Sequence, residues 1–227
     1  MPAFAATAYT VRRSGSSRTT STFSVVAEPG RARATATSKT DGPILYDSLL
    51  WIDSSLIAMN SQMQTWYEIE RPFAIPPSFL DRMRGEKRVE KLVFTLNEVP
   101  EARPGEHHYN GKLRFVIRHS YTVTYTATLD IVTTDAVDSK LWIPGLLPRT
   151  GLAQVDEKLD AAELAIKGFP LRMSMTAGRQ YSGGGVLMTE LHEVEVSDIG
   201  EVRPDEKMFV RPAGYLHQKP IIAVPGT

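Results

Sequence analysis

Five histidines, a glycine run and a group of carboxylates are the residues here whose types could do chemistry. His107, His108, His119, His192 and His217 show no H-E-x-x-H or other metal-ligand spacing. His107-His108 falls in the polar connection from Pro100 to Gly111 and reads as surface loop. As sequence neighbours, the pair would hold a metal only with ligands supplied from elsewhere. His119 lies in the apolar register of a long alternating segment, where a turn residue or a satisfied core histidine fits better than a catalytic base. Ser182-Gly183-Gly184-Gly185 lacks the following Lys-Ser or Lys-Thr of a phosphate cradle and reads as a glycine-rich hairpin or bulge. No serine stands in a G-x-S-x-G elbow. Glu193 and Glu195, close to Glu190, share one strand face between Val194 and Val196 and read as a solvated edge. A general acid–base pair needs an enclosed site that splits its two pKa values. The sequence contains no cysteine, so it has no thiol nucleophile, thiolate metal site, disulfide or lipidated cysteine. The expectation is a protein that is not an enzyme and holds neither metal nor cofactor.

Apolar surface is what remains. Leu50, Trp51, Trp66, Phe115, Ile117, Tyr121, Trp142, Met173 and Met175 are the candidate ligand contacts. Methionine is an adaptable lining for irregular apolar cavities. Two readings stay open: an ordinary core between sheet and helices, or a concave face only partly filled by helices, with a pocket for an acyl chain or similar ligand.

The elements that must position these residues are mostly strands. Tyr9–Arg13, Arg18–Val26 and Arg31–Thr37 alternate with period two around Gly15-Ser16-Ser17 and Pro29-Gly30, which predicts three antiparallel strands. Ile44–Ile52 is apolar on both faces and should be covered on both sides. Leu56–Ile69 predicts a further strand pair. Ile75–Met83 reads as a short helix, with Ser78 or Pro76-Pro77 near its start and Gly85 at its end, and Val89–Val99 as a strand with Val89, Lys91, Val93, Thr95 and Asn97 on one face. The strongest signal runs from Lys112 to Val132, with apolar residues at odd positions and polar ones at even positions. A single strand of that length would span roughly 65 Å, so a turn near Arg118–Ser120 is expected. Gln154–Ile166 is the best helix, with Val155, Leu159, Ala162 and Ile166 on one side and Gly168 after it. Leu171–Met175 and Val186–Val196 then form a closing hairpin.

About ten or eleven strands with two or three helices and no βαβ alternation predict a mainly β, α+β fold: a curved antiparallel half-barrel with helices on its concave face. At 227 residues the chain suits one domain over 9–217, between an N-terminal segment 1–8 and a tail 218–227. Met1 to Ala8 fits either the small-residue tail of a cleaved secretory signal or a plain disordered start. The formal net charge is zero, which argues against nucleic acid as a partner. Charge is nonetheless segregated, basic over residues 1–40 and acidic from Ala153 to Lys207. That pattern fits solvated strand faces, or a basic surface meeting anionic headgroups or a protein partner. No apolar run reaches the ~20 residues of a membrane-spanning helix.

Trp51, Trp66-Tyr67, Leu141-Trp142-Ile143-Pro144, Gly168-Phe169-Pro170-Leu171, Val194-Glu195-Val196 and Phe209-Val210-Arg211-Pro212-Ala213-Gly214-Tyr215 occur in an order that resembles a known group. From about Tyr9 to Tyr215 the chain resembles bacterial envelope proteins of the LolA/LppX-like superfamily, in particular its branch called domain of unknown function 4412. The resemblance implies about eleven antiparallel strands wrapped around helices, export to the periplasm, and carriage of lipid or lipoprotein in an apolar cavity. It implies no catalytic residues. The alternative is a structural or accessory subunit of an envelope complex, with a filled core and no ligand.

Overall fold

The computed structural model describes residues 3–37, 46–53, 55–69, 88–100, 103–118, 122–138, 150, 152–182 and 184–218. The alternating segments become β1 (Phe4–Ser14), β2 (Ser17–Glu28), β3 (Arg31–Ala36), β4 (Ser48–Ile52), β5 (Ser55–Asn60), β6 (Thr65–Ile69), β7 (Val89–Val99), β8 (Glu106–Arg118) and β9 (Thr122–Thr134). Helix α1 (Ala153–Ala165) follows, then β10 (Phe169–Tyr181), β11 (Val186–Glu201), a short 3-10 turn (Glu206–Phe209) and β12 (Leu216–His217). All twelve strands lie in one open sheet, ordered β12-β6-β5-β4-β3-β2-β1-β11-β10-β9-β8-β7. Every neighbouring pair is antiparallel except β12 with β6. Two meanders, β1 to β6 and β7 to β11, are thus joined through the β1·β11 ladder.

The mainly β architecture agrees with the sequence, as does the break between Arg118 and Thr122. Several expectations need correction. Among the described residues there is one α-helix, not two or three, and the helix expected at Ile75–Met83 lies outside them. The first strand begins at Phe4, so most of the segment read as a leader remnant or disordered start is sheet, and Phe4 is fully buried. In β7 the ladder shifts register between Glu90 and Val93, where Lys91 has φ 51°. This bulge turns Leu92, Phe94 and Leu96 toward the core and leaves Val93 exposed, so Val89 does not share a face with Val93.

Strand alternation gives the sheet two distinct faces. Leu49 and Trp51 of β4 point to one side and Leu50 and Ile52 to the other, as the two-faced apolar pattern required. Helix α1 packs on the first of these, the helix-side face, through Val155, Leu159 and Ala162. Its start is fixed by buried Asp156, which accepts hydrogen bonds from Thr150 N (2.7 Å) and Thr150 Oγ1 (2.8 Å). Its exit is held at Lys167, whose N donates to Tyr109 Oη (3.1 Å) and whose carbonyl accepts from Thr133 Oγ1 (2.6 Å).

Gly168 completes that exit with φ +73°, and a Cβ there would stand 2.8 Å from Thr134 O and 3.0 Å from Thr133 Oγ1. Both the backbone angle and the contact exclude a side chain. Gly168→Ala is therefore expected to lower unfolding free energy by about 1–3 kcal/mol, read as a shifted denaturant midpoint. An unchanged midpoint would mean that the α1–β10 junction is not held as described.

Candidate functional site: the apolar sheet face and its rim

The helix-side face carries three apolar clusters that share members. The first joins Phe115, Ile117, Tyr125, Leu129, Met173 and Met175 with residues of α1, and Phe115 stacks on Tyr125 at 5.0 Å. The second is built on Phe4, Ala27, Ala32 and Phe169, with Phe4 and Phe169 edge-to-face at 5.0 Å. The third holds Val25, Ala34, Leu49, Leu56, Ala58 and Ile69. Val194 belongs to the first and second, and Ala8 and Trp51 to the second and third. One apolar surface thus runs from β7 to β6, and α1 contributes side chains to its first cluster only. Between α1 and the sheet, a cleft lined by Leu113, Phe115, Tyr125, Leu159, Met175 and Ala177 has room for about 20 Å³. That is on the scale of one water molecule.

The structure divides the expected ligand contacts. Phe115, Ile117, Met173 and Met175 come together in the first cluster, and Trp51 sits where the second and third meet. Its indole Nε1 is buried and has no hydrogen-bond partner among the described residues. Leu50 and Trp66 lie on the opposite, outer face with Val26, Met59 and Phe209, so they belong to no common site with the others. Tyr121 and Trp142 lie outside the described residues.

The outer face over β3 to β6 is covered by the segment after β11. Arg31 holds the 3-10 turn through bonds to Glu206 (2.7 Å to each carboxylate oxygen), is bonded to Glu28 as well, and lies 4.6 Å over the Phe209 ring. These bonds keep the Glu206 carboxyl below its ordinary range. Farther along, Arg211 lies 4.0 Å over Trp66, and His217 packs against that indole at 4.3 Å. The partner of Phe209 has no local signal in the sequence, because Arg31, which lies over its ring, stands on β3 and is 175 residues from Glu206 in the chain.

His107 and His108 are strand residues of β8, not loop. His108 Nε2 meets Asp130 Oδ2 at 2.8 Å across the ladder. His107 bridges two carboxylates, with Nδ1 at 2.8 Å from Glu98 Oε1 and Nε2 at 3.0 Å from Asp135 Oδ1. Lys167 Nζ adds a bond of 3.1 Å to Glu98. The two ring nitrogens face away from each other, so their carboxylates do not converge on a common point. Among the described residues no group of three or more potential ligands is placed to hold a metal. Glu193 and Glu195 also change setting: β11 lies between β1 and β10 rather than at an edge, and Glu190 is buried on the helix-side face.

The sequence matches no protein-family model and no curated protein. No helix among the described residues is long and apolar enough to cross a membrane.

The bond to Glu98, then that to Asp135, raises the His107 pKa above its ordinary 6.5, while His107 and then Lys167 hold Glu98 below its ordinary 4.5. A raised histidine stabilises the fold fully below 6.5, and that contribution is lost as pH climbs through the folded value. A depressed carboxylate stabilises above 4.5 and loses its effect as pH falls. The rim is therefore strongest between these two ordinary values. Thermal melts from about pH 6 to about pH 8 should show the wild type losing stability relative to His107→Gln. Parallel curves would mean that the bridge does not form.

Proposed function

We propose that this chain is an exported, non-catalytic envelope protein that holds a lipid, an acyl chain or another apolar ligand against the helix-side face of its sheet. The observation that supports this is the span of that apolar face. Twelve strands at ~4.8 Å spacing give a sheet roughly 50 Å across, whereas thirteen helical residues at ~1.5 Å each reach about 20 Å. The helix thus serves only part of an apolar surface that is continuous through Val194, Ala8 and Trp51. The Trp51 N–H, unpaired among the described residues, favours a ligand that brings a hydrogen-bond acceptor, because a buried donor without a partner costs roughly 1–3 kcal/mol. The resemblance to LolA/LppX-like envelope proteins agrees with this reading and supplies the periplasm as the compartment.

A second reading has one observation in its favour. The cleft under α1 is nearly filled, at about 20 Å³, as expected of a structural or accessory subunit of an envelope complex with a packed core.

Solvent extraction and native mass spectrometry of purified protein distinguish the two readings. The first expects a co-purifying lipid and saturable binding of a fluorescent fatty acid. It further expects Trp51→Phe, which removes the N–H together with part of the ring, to weaken that binding on the order of fivefold to tenfold while the protein still melts cooperatively. Absence of extracted lipid and of probe binding, together with a partner captured by crosslinking in the native membrane fraction, would favour the second.

A further inference from the structure

On the outer face, away from the proposed ligand surface, Ser24 and Val26 of β2 stand opposite Thr35 and Arg33 of β3, and Met208 of the C-terminal segment lies over them. They line a niche of about 140 Å³. Arg33 is half-buried at its side. Its guanidinium donates from Nε to Ser48 Oγ (3.1 Å) and from Nη1 to the carbonyl of Met208 (3.1 Å). Both acceptors are neutral, and no carboxylate among the described residues pairs with this cation. Neighbouring Arg31 differs, since Glu28 and Glu206 neutralise it. A guanidinium has more N–H donors than these two bonds use, arranged in a fork that suits a planar oxyanion.

We propose that this niche binds a short aliphatic carboxylate. The carboxylate group would meet the remaining Arg33 donors and the hydroxyls of Thr35 and Ser24, and the aliphatic end would lie between the side chains of Val26 and Met208. The charge of Arg33 calls for an anion. The apolar wall calls for a small tail, and the volume, well below the roughly 300 Å³ of a drug-sized site, excludes a whole lipid. Because Met208 belongs to the segment whose Phe209 covers Leu50, occupancy also tightens that segment on the sheet.

The test is a titration of the full chain, followed by NMR or calorimetry, with butyrate, acetate, inorganic phosphate and the neutral isostere butyramide. Butyrate should bind, and butyramide should bind roughly tenfold or more weakly, the scale of one lost charge-assisted hydrogen bond. Arg33→Gln should abolish the difference between acid and amide. Met208→Ala keeps the carbonyl that Arg33 holds, so it should weaken butyrate while leaving acetate unchanged. Equal binding of butyrate and butyramide, phosphate binding as tight as butyrate, or a Met208→Ala effect equal on both acids would each overturn the proposal. None of these results bears on lipid binding at the helix-side face.

Discussion

The whole sheet depends on the pairing of its first strand with its eleventh. Along most of its length, from Phe4 against Glu201 to Ser14 against Glu190, β1 has only β11 as its second neighbour. Without that ladder, the two meanders would each present a long unpaired edge, and the apolar clusters they share would be cut at Val194. The pairing joins residues nearly the whole chain apart, so its loop-closure entropy is met late, after both meanders are synthesised. The N-terminal half can form its hairpins locally, but its helix-side face is completed only when Phe169, Val194 and Val196 arrive.

Much of this architecture was legible locally because period-two alternation is a local signal. Ile44–Ile52 announced its two covered faces, and the Lys112–Val132 pattern announced two strands rather than one. Gln154–Ile166 announced α1 almost to the residue. Register between distant strands left no such trace. Leu50 and Trp51 are adjacent in sequence, yet only the C-terminal segment's position decides that Leu50 meets Phe209 while Trp51 meets the opposite clusters.

The misreadings have physical causes. His107-His108 reads as loop because Gly111 interrupts the apolar register where a side chain would be crowded; a Cβ there would lie 3.0 Å from Leu96 Cδ1 and 3.3 Å from Leu129 Cβ. The strand therefore begins earlier than its hydrophobic pattern does. In β7 a single left-handed residue, Lys91, reverses the alternation. The partners of His107, on β7 and beyond the end of β9, are invisible without the ladder that brings them together.

The two ends of the strand order have different terminations. At one end β6 is shielded by β12, a parallel strand of only two residues, bonded through Leu216 N to Gln64 O and Gln218 N to Trp66 O. At the other end β7 is eleven residues long, but its bulge at Lys91 and the charges of Arg88, Glu90 and Glu98 interrupt any flat run of free amides. An open sheet of this width would otherwise template the addition of strands from other copies. The C-terminal segment that clamps Trp66 therefore also occupies the Thr65–Trp66 end of the β6 edge, where an incoming strand would otherwise find free backbone groups.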